Sequence, residues 1–498
     1  MMDGSRGRVR GLVRAPVIYG LGMIVQQLVG AFLLPIYTHW LEASSFGIFE
    51  VLSRTRDVFL LTAGSAVALT TIAFYQLAED DTGKRRVALA ALVIQLVLAG
   101  ALALAMLAVA RPLSAFLLGS ADRSPLVALL VGVFFFDALH LVPLAMWQAQ
   151  VRAATYVAFQ SLIPVTRAGL IIIFLVGLHG GLRGLLVAWL LNSAFHAILM
   201  TILLGRYLRP WPGWPGRDLV RRMVAYGWPF LPNSAAGFLL SSGDRYFLAA
   251  THGAAVVGLY GVGYRLAVLA WAGLFIPFQK VWSAFMIRLA RKEEYRPLLA
   301  EVVTGYLGVH ATGLLGFLLV GPEILSVLAD RSYAPAWAIV PVIVGAQYWQ
   351  TVIALLDAAF YAAEATRTKA TITISGALLV IILYATTIPR WGIGGAAWST
   401  LATYLLLAVT TDIVSRRVLW LPIRRWVVYG LPGLAAVLYA GAWTAFSRDG
   451  RLPWLVKVAV LGSWLLLTVG LRLLRPRDLL SLVQRLRQGG ASANPVSK

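Results

Sequence analysis

Arginine and carboxylate side chains recur inside long apolar runs of this chain, where a charge is costly unless it faces protein, water or a ligand. The basic ones are Arg54, Arg56, Arg167, Arg245, Arg265, Lys280 and Lys457; the acidic ones include Glu50, Asp57, Asp137, Asp244, Asp357, Glu364 and Asp412. Arginine presents a planar, permanently charged fork that fits oxyanions two oxygens at a time, so a phosphate or pyrophosphate is the ligand group these residues suggest. Arg54 and Arg265 lead the candidates for binding it, with Arg245, Arg167 and Lys280 beside them as further basic candidates. A bland alternative stands against each arginine, an ion pair inside a helix bundle, such as Arg54 with Glu50 or Asp57 at helical spacing. Arg245 could snorkel to water, and Lys457 reads as a snorkelling anchor at the start of the last span. Asp137 and His140, three residues apart, have the spacing of a proton relay; Asp244, Asp357 and Asp412 are the other coupling or gating candidates. His196 and His310 read as packing histidines with satisfied ring nitrogens.

Catalytic constellations are missing from the sequence. It holds no cysteine, which excludes disulfides, thiolate metal sites and thiol nucleophiles. It also lacks a GxxxxGK[ST] phosphate loop, an HExxH pair and a GxSxG elbow, so the expectation is no catalytic residues, no metal and no cofactor beyond a coupling ion, H+ or Na+. A membrane glycosyltransferase, or a polysaccharide ligase or polymerase, is the enzyme alternative. The longest connections on the side opposite the basic loops, 113–124 and 321–336, offer that chemistry only Glu323, Asp330 and Arg331.

The elements that must position these charges follow from composition. Of 498 residues, 59% are hydrophobic and 13% charged, about half the charged share of a soluble domain. The apolar runs have the length that ~30 Å of hydrocarbon demands of a helix, and the sequence predicts fourteen spans near 15–38, 45–75, 87–110, 124–150, 157–178, 184–204, 222–249, 256–286, 298–320, 335–363, 370–389, 393–415, 426–446 and 453–474. The net charge of +22 raises the question of nucleic acid, but the placement of the basic residues answers it. One alternate set of loops and termini holds 29 of the 43 Lys and Arg, and the opposite set 7. By the positive-inside rule both termini are then cytoplasmic. The basic start, MMDGSRGRVRGLVRAP, reads as a retained anchor. After Arg475, Leu479, Leu480, Leu482, Val483 and Leu486 among basic residues read as an interfacial helix, and the final GGASANPVSK as disordered.

The chain also repeats itself. YGLGMIVQQLVGAFLLP from Tyr19 resembles YGWPFLPNSAAGFLLSS from Tyr226, and GIFEVLSR from Gly47 lies over GLYGVGYR from Gly258, which makes Arg54 and Arg265 equivalents. Each of the two lies some nine residues into its span, roughly 14 Å deep at 1.5 Å per residue. The proline-rich stretch Gly205–Arg222 separates the copies. Six helices separate equivalent points, so both copies enter the membrane in the same direction, a plan in which transporters hold substrate between the halves. The expected organisation is an N-lobe at 1–209, a C-lobe at 210–421, two further spans at 422–475 and a basic cytoplasmic tail at 476–498.

Two stretches carry a resemblance to a known family. PIYTHWLEASSFGIFEVL (Pro35 to Leu52) is similar to the first-loop signature of the polysaccharide (oligosaccharide) flippases, and SSGDRYFLAATHGAAVVGLYGVGYR (Ser241 to Arg265) resembles that family's Asp-Arg element followed by Gly-Leu-Tyr. The resemblance implies the multidrug/oligosaccharidyl-lipid/polysaccharide exporter fold: all α, two six-helix lobes closing alternately on a cavity, and two extra helices. It implies a bacterial inner-membrane flippase that carries an undecaprenyl-pyrophosphate-linked oligosaccharide, such as an O-antigen unit, from the inner to the outer leaflet. Polysaccharide polymerase and ligase components would be its partners along with membrane lipids, and nucleic acid would not. The family's cavity-lining basic residues fall on Arg54, Arg167, Arg245 and Arg265. A lipid II flippase and a multidrug exporter of the same superfamily are the neighbouring readings, the latter favouring an acidic or aromatic cavity.

Overall fold

The computed structural model describes Gly22 and residues 25–471, with the side chains of a few residues around Lys280 outside that description. Lys280 as a site candidate therefore lies outside the described residues, as do the retained anchor, the interfacial helix and the disordered terminus expected at the two chain ends. Among the described residues every extended element is a helix, as it must be where lipid offers backbone groups no partner, and the one β-bridge joins Arg448 to Arg451 in a turn.

In chain order the helices are α1 (25–40), α2 (Ala43–Leu60), α3 (Ala66–Leu77), α4 (Asp81–Ala108), α5 (Ala110–Leu118), α6 (Ser124–Ala149), α7 (Ala153–Ile171), α8 (Gly181–Tyr207) and α9 (Arg217–Gly227). There follow α10 (Phe230–Ser242), α11 (Asp244–His252), α12 (Ala254–Arg291), α13 (Arg296–Leu328), α14 (Val340–Ala362), α15 (Thr366–Val418), α16 (Arg425–Phe446) and α17 (Trp454–Gly470). Among the described residues nine helices are long and apolar enough to cross a membrane, and α3 and α17 are shorter apolar helices. α2 and α3 run on through a π-helical turn at Leu61–Ser65, and α15 holds two spans joined at Gly392. About fourteen crossings result, and the chain is a multi-pass membrane protein.

Several expected boundaries are corrected. The seventh span, expected as one helix from 222 to 249, is divided into α9, α10 and α11: Pro229 lacks the N–H a continuous helix needs, and a new turn begins at Gly243. The eleventh and twelfth spans stand as two helices, as expected, and meet at a kink at Gly392, whose φ of 52° and ψ of −128° only glycine adopts without strain. The connection expected at 113–124 is mostly helical, as α5 and a single 3-10 turn at Ala121–Arg123. The other, at 321–336, is helical to Leu328 and resumes as a 3-10 segment at Arg331. There Asp330 caps the segment by accepting from the Ser332 backbone N–H at 2.9 Å, and that bond holds its carboxyl below the ordinary carboxylate value.

Two compact units divide the structure. One comprises the described residues up to Arg265 with Val327–Val340 and Thr373–Thr403; the other comprises Leu266–Ser326, Pro341–Ile372 and the residues from Tyr404 onward. In the first unit the amphipathic α9 inserts Met223 among Val67, Val87, Ala88, Ala91, Val142, Met146 and Leu204 of α3, α4, α6 and α8. In the second unit α17 is tied to α13 twice, by Trp464 Nε1 donating to Thr312 Oγ1 at 2.9 Å and by an ion pair of Lys457 with Glu323. Lys457, expected as a snorkelling anchor at the start of the last span, directs its ammonium to Glu323, whose side chain is 39% exposed.

The tightest packing in the first unit is the crossing of α2 and α12. Ala43 and Gly47 on one helix and Ala254 and Gly258 on the other are small residues at i and i+4, the pattern that lets helix backbones approach in lipid. A Cβ on Gly47 would lie 1.6 Å from the Ala254 carbonyl oxygen, and one on Gly258 2.4 Å from the Ala43 oxygen. Gly47→Ala is therefore expected to destabilise the protein by about 2 kcal/mol or more, the cost of overpacking against backbone that cannot yield. Gly30→Ala, where the added methyl meets nothing within 4 Å, is the control. Thermal unfolding in detergent measures both, and equal midpoints for the two variants would refute the close crossing.

Candidate functional site

Helix α2 carries Glu50, Arg54 and Asp57 along one stripe, at spacings of four and three residues that bring side chains together. Arg54 Nη1 donates to Asp57 Oδ2 at 3.2 Å, and its Nε lies 3.8 Å from Glu50 Oε2. Glu50 is fully buried, and its other oxygen makes a close ion pair with Arg265 of α12. The carboxylate reaches that place because Gly261 leaves it room: a Cβ there would sit 2.9 Å from Glu50 Cγ. The geometry follows the internal repeat. With GIFEVLSR laid over GLYGVGYR, Gly47 matches Gly258, Glu50 matches Gly261 and Arg54 matches Arg265. Equivalent positions of the two copies thus face each other, and the two equivalent arginines hold a single carboxylate between them.

Aromatic rings complete this cluster. The Arg265 guanidinium lies 5.4 Å from the Phe46 centroid, 5.8 Å from Tyr37 and 5.9 Å from Phe49, close enough for cation–π attraction. Phe49 in turn meets Trp189 of α8 edge to face at 5.7 Å and so joins a second cluster. There Arg56 Nε donates to Asp137 Oδ2 of α6 at 2.7 Å, and Arg56 Nη1 donates to Asp57 Oδ1 at 3.0 Å. Arg56 and Arg167 each lie 5.4 Å from the Trp189 ring. Among the described residues no carboxylate is paired with Arg167. Four arginines therefore stand against Glu50, Asp57 and Asp137, leaving one positive charge in excess. The side chains of Arg54, Arg56 and Arg265 remain 26%, 18% and 23% exposed.

The remaining candidates are placed differently. Arg245 is 1% exposed; it donates to Asp244 Oδ1 at 2.6 Å, stacks over Tyr264 at 3.9 Å, and its partner Asp244 also accepts from Tyr260. The expectation that Arg245 snorkels is corrected, because Asp244 beside it supplies the counter-charge that water would have supplied. His140 Nδ1 lies 3.8 Å from Asp137 Oδ1, while Arg56 occupies the other carboxylate oxygen. Asp357 and Asp412 belong to the second compact unit. Asp357 pairs with Lys369 at 2.7 Å, and Asp412 with Arg416 and Arg425 while accepting from Tyr429 at 3.1 Å. His196 meets Thr166 Oγ1 at 2.9 Å, and His310 lies between Thr351 and Tyr306 at 3.2 and 3.3 Å. No group of three His, Asp or Glu among the described residues could hold a metal ion.

Sequence reasoning treated Arg56 only as one more intramembrane charge and did not single out Trp189, although two guanidinium groups meet on that ring. A signal for Glu50 was present. It is the position at which the repeat exchanges a carboxylate for glycine, beside two arginines that the repeat retains.

The fold and the family are both recognisable. The structure is similar to lipid II flippase MurJ in an inward closed conformation, with a TM-score of 0.73 at 10% identity over 94% of this chain and 100% of that one. It is also similar to an inward-facing multidrug resistance MATE family transporter of the MOP superfamily, at TM-score 0.63 and 14% identity over 82% and 97% of the two chains. A third similar structure, a MOP superfamily transporter from Pyrococcus furiosus Vc1 noted for the reverse polarity of its binding pocket, gives 0.58 at 15% identity over 82% and 95%. No curated protein sequence matches the chain. At these identities the likeness establishes the fold alone, an all-α architecture like that of the MurJ and MATE structures. The profile of the family described as polysaccharide biosynthesis protein matches residues 12–286, more than half of the chain and the whole of the arginine site just described, and the chain belongs to that family.

Proposed function

We propose that the protein is a flippase that binds the pyrophosphate of a polyprenyl-linked oligosaccharide and carries it from the inner to the outer leaflet of a bacterial inner membrane, with both chain termini in the cytoplasm. The observation that carries this reading is the meeting of Arg54 and Arg265, equivalents in the two repeat copies, beside Arg56 and the carboxylate-free Arg167. Forked cations on partly exposed side chains and backed by aromatic rings suit a phosphorylated headgroup, while the prenyl tail stays in lipid. The family and the flippase-like fold point the same way. A multidrug exporter of organic cations fits less well, because Glu50, Asp57 and Asp137 are each already matched to arginine and the site retains a positive excess. A lipid II flippase would use the same cations, and the sugar is what separates the two.

Membrane potential acting on the carried charge is the energy source we favour. Each charge moved across the membrane is worth about 2.3 kcal/mol per 100 mV, and an inside-negative potential drives an anion outward. Coupling to H+ or Na+ at Asp137, Asp357 or Asp412 would instead have to displace an arginine or lysine of the chain from each carboxylate.

Purified protein is expected to bind an undecaprenyl-pyrophosphate-linked oligosaccharide, and Arg54→Ala with Arg265→Ala to weaken that binding by about a hundredfold, as loss of two charge-assisted contacts of ~1.5 kcal/mol each implies. A lipophilic cation serves as comparison. Binding of the cation in place of the pyrophosphate lipid would overturn the reading in favour of a drug exporter. In proteoliposomes, translocation should rise when a potassium-diffusion potential makes the donor side negative and stay unchanged on replacing Na+; dependence on Na+ would refute the electrical mechanism. Asp137→Asn should cost about 1.5–3 kcal/mol of stability, because Arg56 loses its charge-assisted bonds to α6 and keeps only Asp57 as a carboxylate partner. A midpoint shifted by less than the scatter of repeat unfolding curves would mean that Arg56 does not depend on Asp137.

A further inference from the structure

Glu50 is the one acidic side chain of the site with no exposure at all, and ion pairing inside a bundle needs no such arrangement. A carboxylate that only neutralised Arg54 could sit at the helix surface, as Asp57 does at 31% exposure. Instead Glu50 is set at the crossing of the two repeat copies, one oxygen toward Arg54 and the other on Arg265, in a space that the glycine at its own equivalent position leaves open. It stands where an oxyanion bridging the two arginines would stand. The buried Arg245 is paired with a carboxylate of its own, Asp244.

We propose that Glu50 is the specificity-determining residue of this site: a tethered anion that occupies Arg54 and Arg265 in the unloaded protein and yields them only to a ligand with at least two negative charges. The inference rests on the reading of the site as a pyrophosphate-binding one and states what sets its selectivity. A tethered group competes at an effective concentration in the millimolar range or above, and its desolvation is already met by folding. A phosphodiester, with a single charge, offers the arginines no more than Glu50 already supplies. A pyrophosphate diester carries one charge on each phosphorus and presents oxygens to both guanidinium forks at once, so it gains an interaction that the carboxylate lacks. Because Glu50 on α2 is also held by Arg265 on α12, its displacement removes the ion pair between the crossing helices. Loading thereby loosens that crossing.

The test compares two lipids with the same prenyl chain and sugar, one joined through pyrophosphate and one through a single phosphate, on the full-length protein in detergent or nanodiscs. Wild type is expected to prefer the pyrophosphate lipid by about tenfold or more, one charge-assisted contact's worth. Glu50→Gln is expected to bind both lipids more tightly and to narrow the preference at least threefold. Gly261→Ala, whose added methyl lies 2.9 Å from Glu50 Cγ, displaces the same carboxylate while leaving its charge, and should narrow the preference in the same direction should the glutamine variant fail to fold. Unchanged preference in a folded variant, or weaker binding of both lipids, would make Glu50 a structural lock and overturn the inference while leaving the pyrophosphate site standing. If wild type binds neither lipid, the reading of the site itself falls.

Discussion

A carboxylate with no water in reach has to find its cations within the chain, and the ion pairs of Glu50 are the constraint around which the first compact unit is arranged. They require α2 and α12 to approach until backbone touches backbone, which the small residues Ala43, Gly47, Ala254 and Gly258 permit. They require a vacancy opposite the carboxylate, which Gly261 supplies. They also bring Arg54 and Arg265 to one point from opposite copies of the repeat. A larger residue at any of these glycines would separate the charges, and separated charges in hydrocarbon carry a heavy desolvation cost.

The same accounting governs the other intramembrane charges. Asp137 holds Arg56, Asp244 holds Arg245, Asp357 holds Lys369, Asp412 holds Arg416 and Arg425, and Glu323 holds Lys457. Several of these pairs join different helices, so they position elements as well as neutralise charge: Asp137 draws α6 to α2, and Glu323 draws α13 to α17. Arg167 departs from the pattern: it lies over Trp189, and among the described residues no carboxylate is paired with it. Aromatic faces attract a cation without neutralising it, so Arg167 remains a net positive charge in the site. The rings of Tyr37, Phe46, Phe49 and Trp189 thus keep the guanidinium groups in place while leaving their charge available to an anion.

Much of this architecture is legible in the amino-acid sequence, for a physical reason. A bilayer permits few ways to satisfy backbone groups, so apolar runs of span length must be helices, and their number and approximate places follow directly. The internal repeat is also visible, because both copies must make the same crossing and so retain Gly47 with Gly258 and Arg54 with Arg265. From that equivalence alone the two arginines stood out as the leading pair. The breaks at Pro229 and Gly243 were less legible: proline and glycine occur throughout these helices, and α6, α13 and α16 run on past Pro143, Pro322 and Pro432 without interruption.

Tertiary structure alone decided which charge belongs to which. Spacing along one helix shows that Arg54 can reach Glu50 or Asp57, but it says nothing about Arg265 closing on Glu50 from another helix, or about Arg56 reaching Asp137 of another helix while keeping its neighbour Asp57. Arg245 stood behind Arg265 from sequence only as a residue that could snorkel to water; its burial with Asp244 and two tyrosines comes from the fold. Ion pairs between helices depend on rotation about each helix axis and on the depth of each crossing, quantities set by packing across the bundle and written in no local pattern. The sequence by itself determined that this is a many-spanning helical membrane protein with a duplicated, arginine-bearing plan. The fold determined that the two copies meet at a shared carboxylate.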